Sequence, residues 1–179
     1  NTAAVNNSQI IQEASRLFGS STIIASIETI KSENGEYLAY TDNGREYTGI
    51  NIFEWCKELE QLGAGEILLT SIDRDGTGTG CDIELIEKVR SLISIPLIAH
   101  GGIGTVEHIS EAINKGGANA VAIASMIHYG SLFNNEFENI ESNEGNKTFI
   151  SNHRQFKSFS ETDIKKIKNE LKGEVNTRI

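Results

Sequence analysis

The stretch from residue 63 to residue 102, GAGEILLTSIDRDGTGTGCDIELIEKVRSLISIPLIAHGG, restricts the fold more than any other part of the chain. Residues 66–72 form a short apolar run, which Asp73-Arg74-Asp75-Gly76-Thr77 breaks. Asp82 then opens a helical pattern with Ile83, Leu85, Ile86, Val89 and Leu92 on one face. A second strand begins at Pro96 and stops at His100-Gly101-Gly102. This is a βαβ unit. Its crossover makes the two strands parallel, and loops at the carboxyl ends of parallel strands are where α/β proteins gather their chemistry.

The same rhythm extends in both directions. Asn1 to Val5 reads as a strand end and loop, after which Asn6 or Ser8 caps a helix carrying Ile10, Ile11, Ala14, Leu17 and Phe18, stopped by Gly19. Residues 22–27 (TIIASI) read as a buried strand whose carboxyl end is Glu28. Asp42-Asn43-Gly44 between two β-forming runs predicts a hairpin, inserted above the sheet. Ile52, Phe53, Trp55, Cys56, Leu59 and Leu62 predict a helix ending at Gly63; Val106, Ile109, Ala112 and Ile113 predict another, capped near Thr105. Residues 119–124 form a small-residue strand that leads into Ser125, residues 131–160 a polar, partly ordered connection, and Ile164, Ile167 and Leu171 the stripe of a last helix starting in 160–163. The sum is an α/β chain of four parallel strands, each followed by a helix, with one leading helix. It is half of a TIM (β/α)₈ barrel, a single domain over residues 1–179.

Length agrees with a half rather than a whole, since 179 residues fall short of the ~250 of a closed barrel. A net charge of −9 works against nucleic acid and anionic membrane surfaces as partners. No apolar run approaches the ~20 residues of a membrane span. Cys56 and Cys81 lack metal-type spacing, and without a secretory leader a reducing cytoplasm is the expected location. The chain opens without an initiator methionine, which reads as processing or truncation.

Collecting the strand ends places Glu28, Asp73, Asp75-Gly76-Thr77, Gly101-Gly102 and Ala124-Ser125 on one rim. Gly101-Gly102 is either a plain turn or, with helix starts near Thr105 and Ser125, part of an anion site built from backbone N–H groups. Glu28, Asp73 and Asp75 are candidates for acid–base work. Against that, Asp75 can be a turn former, Asp73 a partner of Arg74 or of a neighbouring strand, and Glu28 a solvated carboxylate. His100 reads as a ligand-facing rim residue or a satisfied histidine. Neither a metal nor a cofactor is expected: His100 and His128 are not arranged as ligands, and residues 76–80 (GTGTG) lack dinucleotide spacing.

GAGEILLTSIDRDGTGTGCDIELI, IPLIAHGGIG and AVAIASMIHYG, with the leading NTAAV and RLFGS, strongly resemble the cyclase subunit of imidazole glycerol phosphate synthase. The resemblance covers nearly everything up to Gly130 and weakens over residues 131–160. It implies the second half of a barrel, beginning at the end of the fourth strand. It also implies a lyase or cyclase of histidine biosynthesis. Ammonia from a glutaminase partner would be added to a phosphorylated ribulosyl carboxamide, giving imidazole glycerol phosphate and aminoimidazole carboxamide ribotide.

By that resemblance the fifth-strand catalytic acid falls on Glu28, where the family has Asp, and the first-strand acid lies outside this chain. Asp75, Gly76, Gly101, Gly102, Ala124 and Ser125 match phosphate-binding segments, Thr2 a threonine near the other phosphate, and Thr70 a substrate-facing position. Glu66, at the opposite strand end, matches one member of a charged ammonia gate. His100 stands where the family usually has Ser. Two other expectations stay open: a paralogue that channels ammonia for amidination of a surface sugar, and a non-catalytic phosphate-binding half-barrel. Such a piece on its own is expected to be inactive, and to self-associate or join the missing half.

Overall fold

The computed structural model describes residues 1–134, 159 and 162–176. Six strands form one mixed sheet in the order β3-β2-β1-β4-β5-β6. They are β1 Ile24–Lys31, β2 Tyr37–Thr41, β3 Glu46–Asn51, β4 Glu66–Ser71, β5 Leu97–His100 and β6 Ala120–Ala122. The helices among the described residues are α1 Thr2–Asn6, α2 Gln9–Phe18, α3 Ile52–Gln61, α4 Ile83–Arg90, α5 Val106–Asn114, α6 Ser125–Asn134 and α7 Ile164–Glu170. β1, β4, β5 and β6 run parallel, as the sequence rhythm predicts, with a helix on every crossover.

Four boundaries differ from expectation. Asn1 to Val5 is no strand end; Thr2–Asn6 is a short helix. Glu28 does not end its strand, because β1 continues to Lys31. That continuation is held by β2, which pairs antiparallel with β1 and places the hairpin in the sheet rather than above it. The helix that begins at Ser125 runs on to Asn134, four residues into the expected connection. Residues 135–158 and 160 of that connection lie outside the described residues.

The parallel strands are two-sided. Ala25, Ile27 and Thr29 of β1, Ile67, Leu69 and Ser71 of β4, and Leu97 and Ala99 of β5 are buried, in one core with Trp55, Cys56 and Leu59 of α3, Leu85, Ile86 and Val89 of α4, and Ile109 and Ala112 of α5. Each large aliphatic side chain removed from water there contributes roughly 1.5–3 kcal/mol. Cys56 belongs to this core, and burial pushes its thiol up to about 12. The alternate positions, Ser26, Glu28 and Ile30, Glu66, Leu68 and Thr70, and Ile98 and His100, are only half-buried, and Ile24 is 53% exposed. Among the described residues, one face of the sheet is packed and the other is open.

Two helix starts follow the caps read from sequence, whereas Ser8 precedes α2 without a side-chain cap bond. Asp82 Oδ1 accepts from Leu85 N–H at 3.1 Å and Thr105 Oγ1 from His108 N–H at 3.4 Å. Asp82 Oδ2 also accepts from the Tyr37 hydroxyl at 2.9 Å, tying the hairpin to α4. Replacing Asp82 with alanine is expected to cost about 1–2 kcal/mol from the lost cap and the lost bond to Tyr37. A urea titration of the full-length protein would show it as a lower midpoint, and an unchanged midpoint would refute the double role.

Candidate functional site

Register, not proximity in sequence, assembles the site. Tyr40 of β2 lies opposite Glu28, Glu28 opposite Thr70, Thr70 opposite His100, and His100 opposite Ala122. Because side chains in one register row share a face, Glu28, Thr70 and His100 stand side by side on the open face. Glu66 occupies the same face of β4 four residues earlier, hence ~13 Å away at the other strand end.

Asn1, which sequence reasoning passed over, holds Glu28. Its Nδ2 donates to Glu28 Oε2 at 3.2 Å and to the Tyr40 carbonyl at 2.6 Å. Nothing in a lone polar residue ahead of Thr2 signals this contact; it appears only once α1 is placed beside the hairpin. Thr2 itself turns toward the hairpin, accepting from Asp42 N–H at 3.2 Å. It lines a polar cavity of about 690 Å³ with Thr41, Asp42, Glu46, Tyr47 and Thr48. None of Glu28, Thr70 and His100 lines that cavity.

The other candidates gather on the loops beyond β4, β5 and β6. Asp73 proves structural: its Oδ2 accepts from Lys31 N–H at 2.7 Å, bracing the extended end of β1. Asp75 instead approaches His100, with 3.9 Å between Oδ1 and Nε2, while His100 Nδ1 lies 3.1 Å from Thr70 Oγ1. Gly76 has a positive φ of 71°, and a side chain on it would meet open space. Gly101 and Gly102 are the reverse. Both are buried, with φ of 99° and 93°, and a Cβ would strike the Ser71 carbonyl oxygen from the first and the Gly80 carbonyl oxygen from the second. Gly80 N–H donates to Gly102 O at 2.7 Å, locking the two loops together. The Gly-Gly pair is therefore required by packing as well as suited to a close ligand. Ala124 is exposed and Ser125 half-buried where α6 begins after β6.

The site thus offers one carboxylate (Glu28), one hydroxyl (Thr70) and one imidazole (His100) in a row, bordered by glycine loops and a helix start. Such a set can transfer protons, orient a polar substrate and face an anion. Among the described residues no group of His, Cys, Asp or Glu is placed to hold a metal, and no helix is long and apolar enough to cross a membrane.

Comparison with known proteins gives the chain a family. Imidazole glycerol phosphate synthase subunit HisF from Pyrobaculum aerophilum is 52% identical over 133 residues, covering 74% of this chain and 51% of that relative. The chain spans about half the length of the relative it matches. A family model described as "Histidine biosynthesis protein" matches residues 1–133, a span containing every candidate from Thr2 to Ser125. With three quarters of its length inside one family model and half of those residues identical to a member, the chain belongs to the histidine biosynthesis protein family.

Proposed function

We propose that residues 1–179 are a single domain, the C-terminal half of a (β/α)₈ cyclase barrel. Joined to its N-terminal half, it converts a phosphorylated ribulosyl carboxamide and ammonia into imidazole glycerol phosphate and aminoimidazole carboxamide ribotide. The observation that carries this reading is the register row of Glu28, Thr70 and His100 on an open sheet face, in a chain 52% identical to a HisF subunit. Glu28 serves as the acid or base this half supplies, Thr70 faces the substrate, and Asp75-Gly76, Gly101-Gly102 and Ala124-Ser125 hold one phosphate. Glu66 forms part of the ammonia entrance at the opposite strand end, toward a glutaminase partner in the cytoplasm. No cofactor is needed for this chemistry. The test is turnover of the ribulosyl substrate with ammonia by the full-length protein; a rate no higher than that of Glu28→Ala would sink the reading.

A second reading is favoured by two residues. Glu28 and His100 stand where the resemblance implies Asp and Ser, which suits a paralogue that sends ammonia to another acceptor, such as a surface sugar. Restoration of histidine prototrophy in a cyclase-deficient strain would count against it.

The open face bears on the isolated piece. Leu68, Ile98 and Ile24 lie on it without a covering layer among the described residues. A 179-residue piece is expected to self-associate or to capture its missing half, and to lack activity alone. Sedimentation measures this, and a monodisperse monomer would refute it.

A further inference from the structure

His100 is the rim residue for which the cyclase reading supplies no task, and its contacts give it one. Its Nδ1 lies 3.1 Å from Thr70 Oγ1, and its Nε2 lies 3.9 Å from Asp75 Oδ1. The His100 side chain is 23% exposed and that of Asp75 50% exposed. Asp75, His100 and Thr70 therefore form a chain from the loop after β4, across β5, to the middle of the open face.

A neutral imidazole carries its proton on one nitrogen and accepts through the other. With the proton on Nδ1, the ring would donate to Thr70 and turn the Nε2 lone pair toward the Asp75 carboxylate, setting two acceptors against each other. With the proton on Nε2, an N–H faces the carboxylate and Nδ1 accepts from the Thr70 hydroxyl. A separation of 3.9 Å is too long for a hydrogen bond, but the field of a carboxylate at that range still discriminates between the two forms. Glu28, the other charged group in the row, lies beyond Thr70 and is also an acceptor, so it supplies no donor that would reverse the preference.

We propose that Asp75 and His100 are positioning residues that fix Thr70 as a hydrogen-bond acceptor toward the ligand. The hydroxyl has one proton, and His100 takes it. Its oxygen then presents only lone pairs to the open face, so beside Thr70 the site selects a ligand hydroxyl or amide N–H over a carbonyl or phosphate oxygen. A serine in place of His100 could donate or accept by rotation and would leave Thr70 unbiased. The inference rests on the proposed function only in placing a ligand over this row.

Long-range ¹H–¹⁵N NMR of the full-length protein with ¹⁵N-labelled histidine tests the first link without substrate, at about pH 8, above the usual histidine range. The expected result is an Nε2–H tautomer at His100 that becomes a mixture in Asp75→Ala. An Nδ1–H or doubly protonated ring, or a tautomer unmoved by Asp75→Ala, overturns the proposal, whatever becomes of the cyclase reading. The second link is kinetic. His100→Leu is expected to raise KM for the ribulosyl substrate roughly 3- to 10-fold, the value of one hydrogen bond, with little change in kcat. His100→Asn, whose Oδ1 can replace Nδ1 as acceptor, recovers most of that loss. An equal rise in KM for both variants, or a fall confined to kcat, overturns it. A wild type without turnover defeats the proposed function and leaves the tautomer to decide this one.

Discussion

Replacing Gly102 with alanine is expected to lower the unfolding free energy by about 2–6 kcal/mol. Two costs add. At φ of 93° an L side chain is strained, worth roughly 1–3 kcal/mol. The new Cβ would also overlap the Gly80 carbonyl oxygen and lie 3.0 Å from Arg74 Cβ, and overpacking of this kind costs roughly 1–3 kcal/mol. Backbone must therefore move, and the Gly80 to Gly102 hydrogen bond of 2.7 Å moves with it. Gly76→Ala is the control: its φ is likewise positive, at 71°, but nothing lies within 4 Å of the added carbon. It is expected to cost only the backbone strain. Urea midpoints of the two full-length variants measure the difference. Equal midpoints would mean that the interlocked loops contribute nothing and that Gly101-Gly102 is the plain turn its sequence also allows.

The contrast between these glycines marks where sequence stops being informative. Apolar periodicity located β4, α4, β5 and α5 because their buried positions recur locally, and Asp82 and Thr105 announced their helices because a cap acts within three residues. In sequence Glu28 looks like a strand end because a charge after an apolar run resembles a boundary. In a strand with one open face, a charge at an alternate position is no interruption, and Ala25, Ile27 and Thr29 remain buried on either side of it. Thr2–Asn6 is too short for helix propensity to speak. Thr70 and His100 are thirty residues apart, and only the parallel register makes them neighbours. Asp73 and Asp75 look alike in DRD and differ entirely in use, one bracing Lys31 N–H and the other facing His100.

On the cyclase reading, Glu28→Gln is expected to lower kcat by about 100-fold or more, in line with the ~10²–10⁴ that a positioned acid or base supplies. The substitution keeps shape and an oxygen able to accept from Asn1 Nδ2, now 3.2 Å from Glu28 Oε2. It removes the negative charge and the capacity to gain and lose a proton while keeping the shape, so the urea midpoint is expected to hold. Glu28→Asp separates chemistry from reach. It restores the acid but withdraws it by one methylene from Asn1, and a displacement of ~1 Å can cost ~100-fold. If the active site is built around the longer side chain, the aspartate variant falls between wild type and Glu28→Gln. If the barrel retains the geometry that the resemblance implies, aspartate matches or exceeds the wild type. Single-turnover rates of the three full-length proteins with saturating ammonia distinguish these results. A glutamine variant with wild-type turnover would remove Glu28 from the chemistry, leaving its bond to Asn1 as a brace between α1 and the sheet.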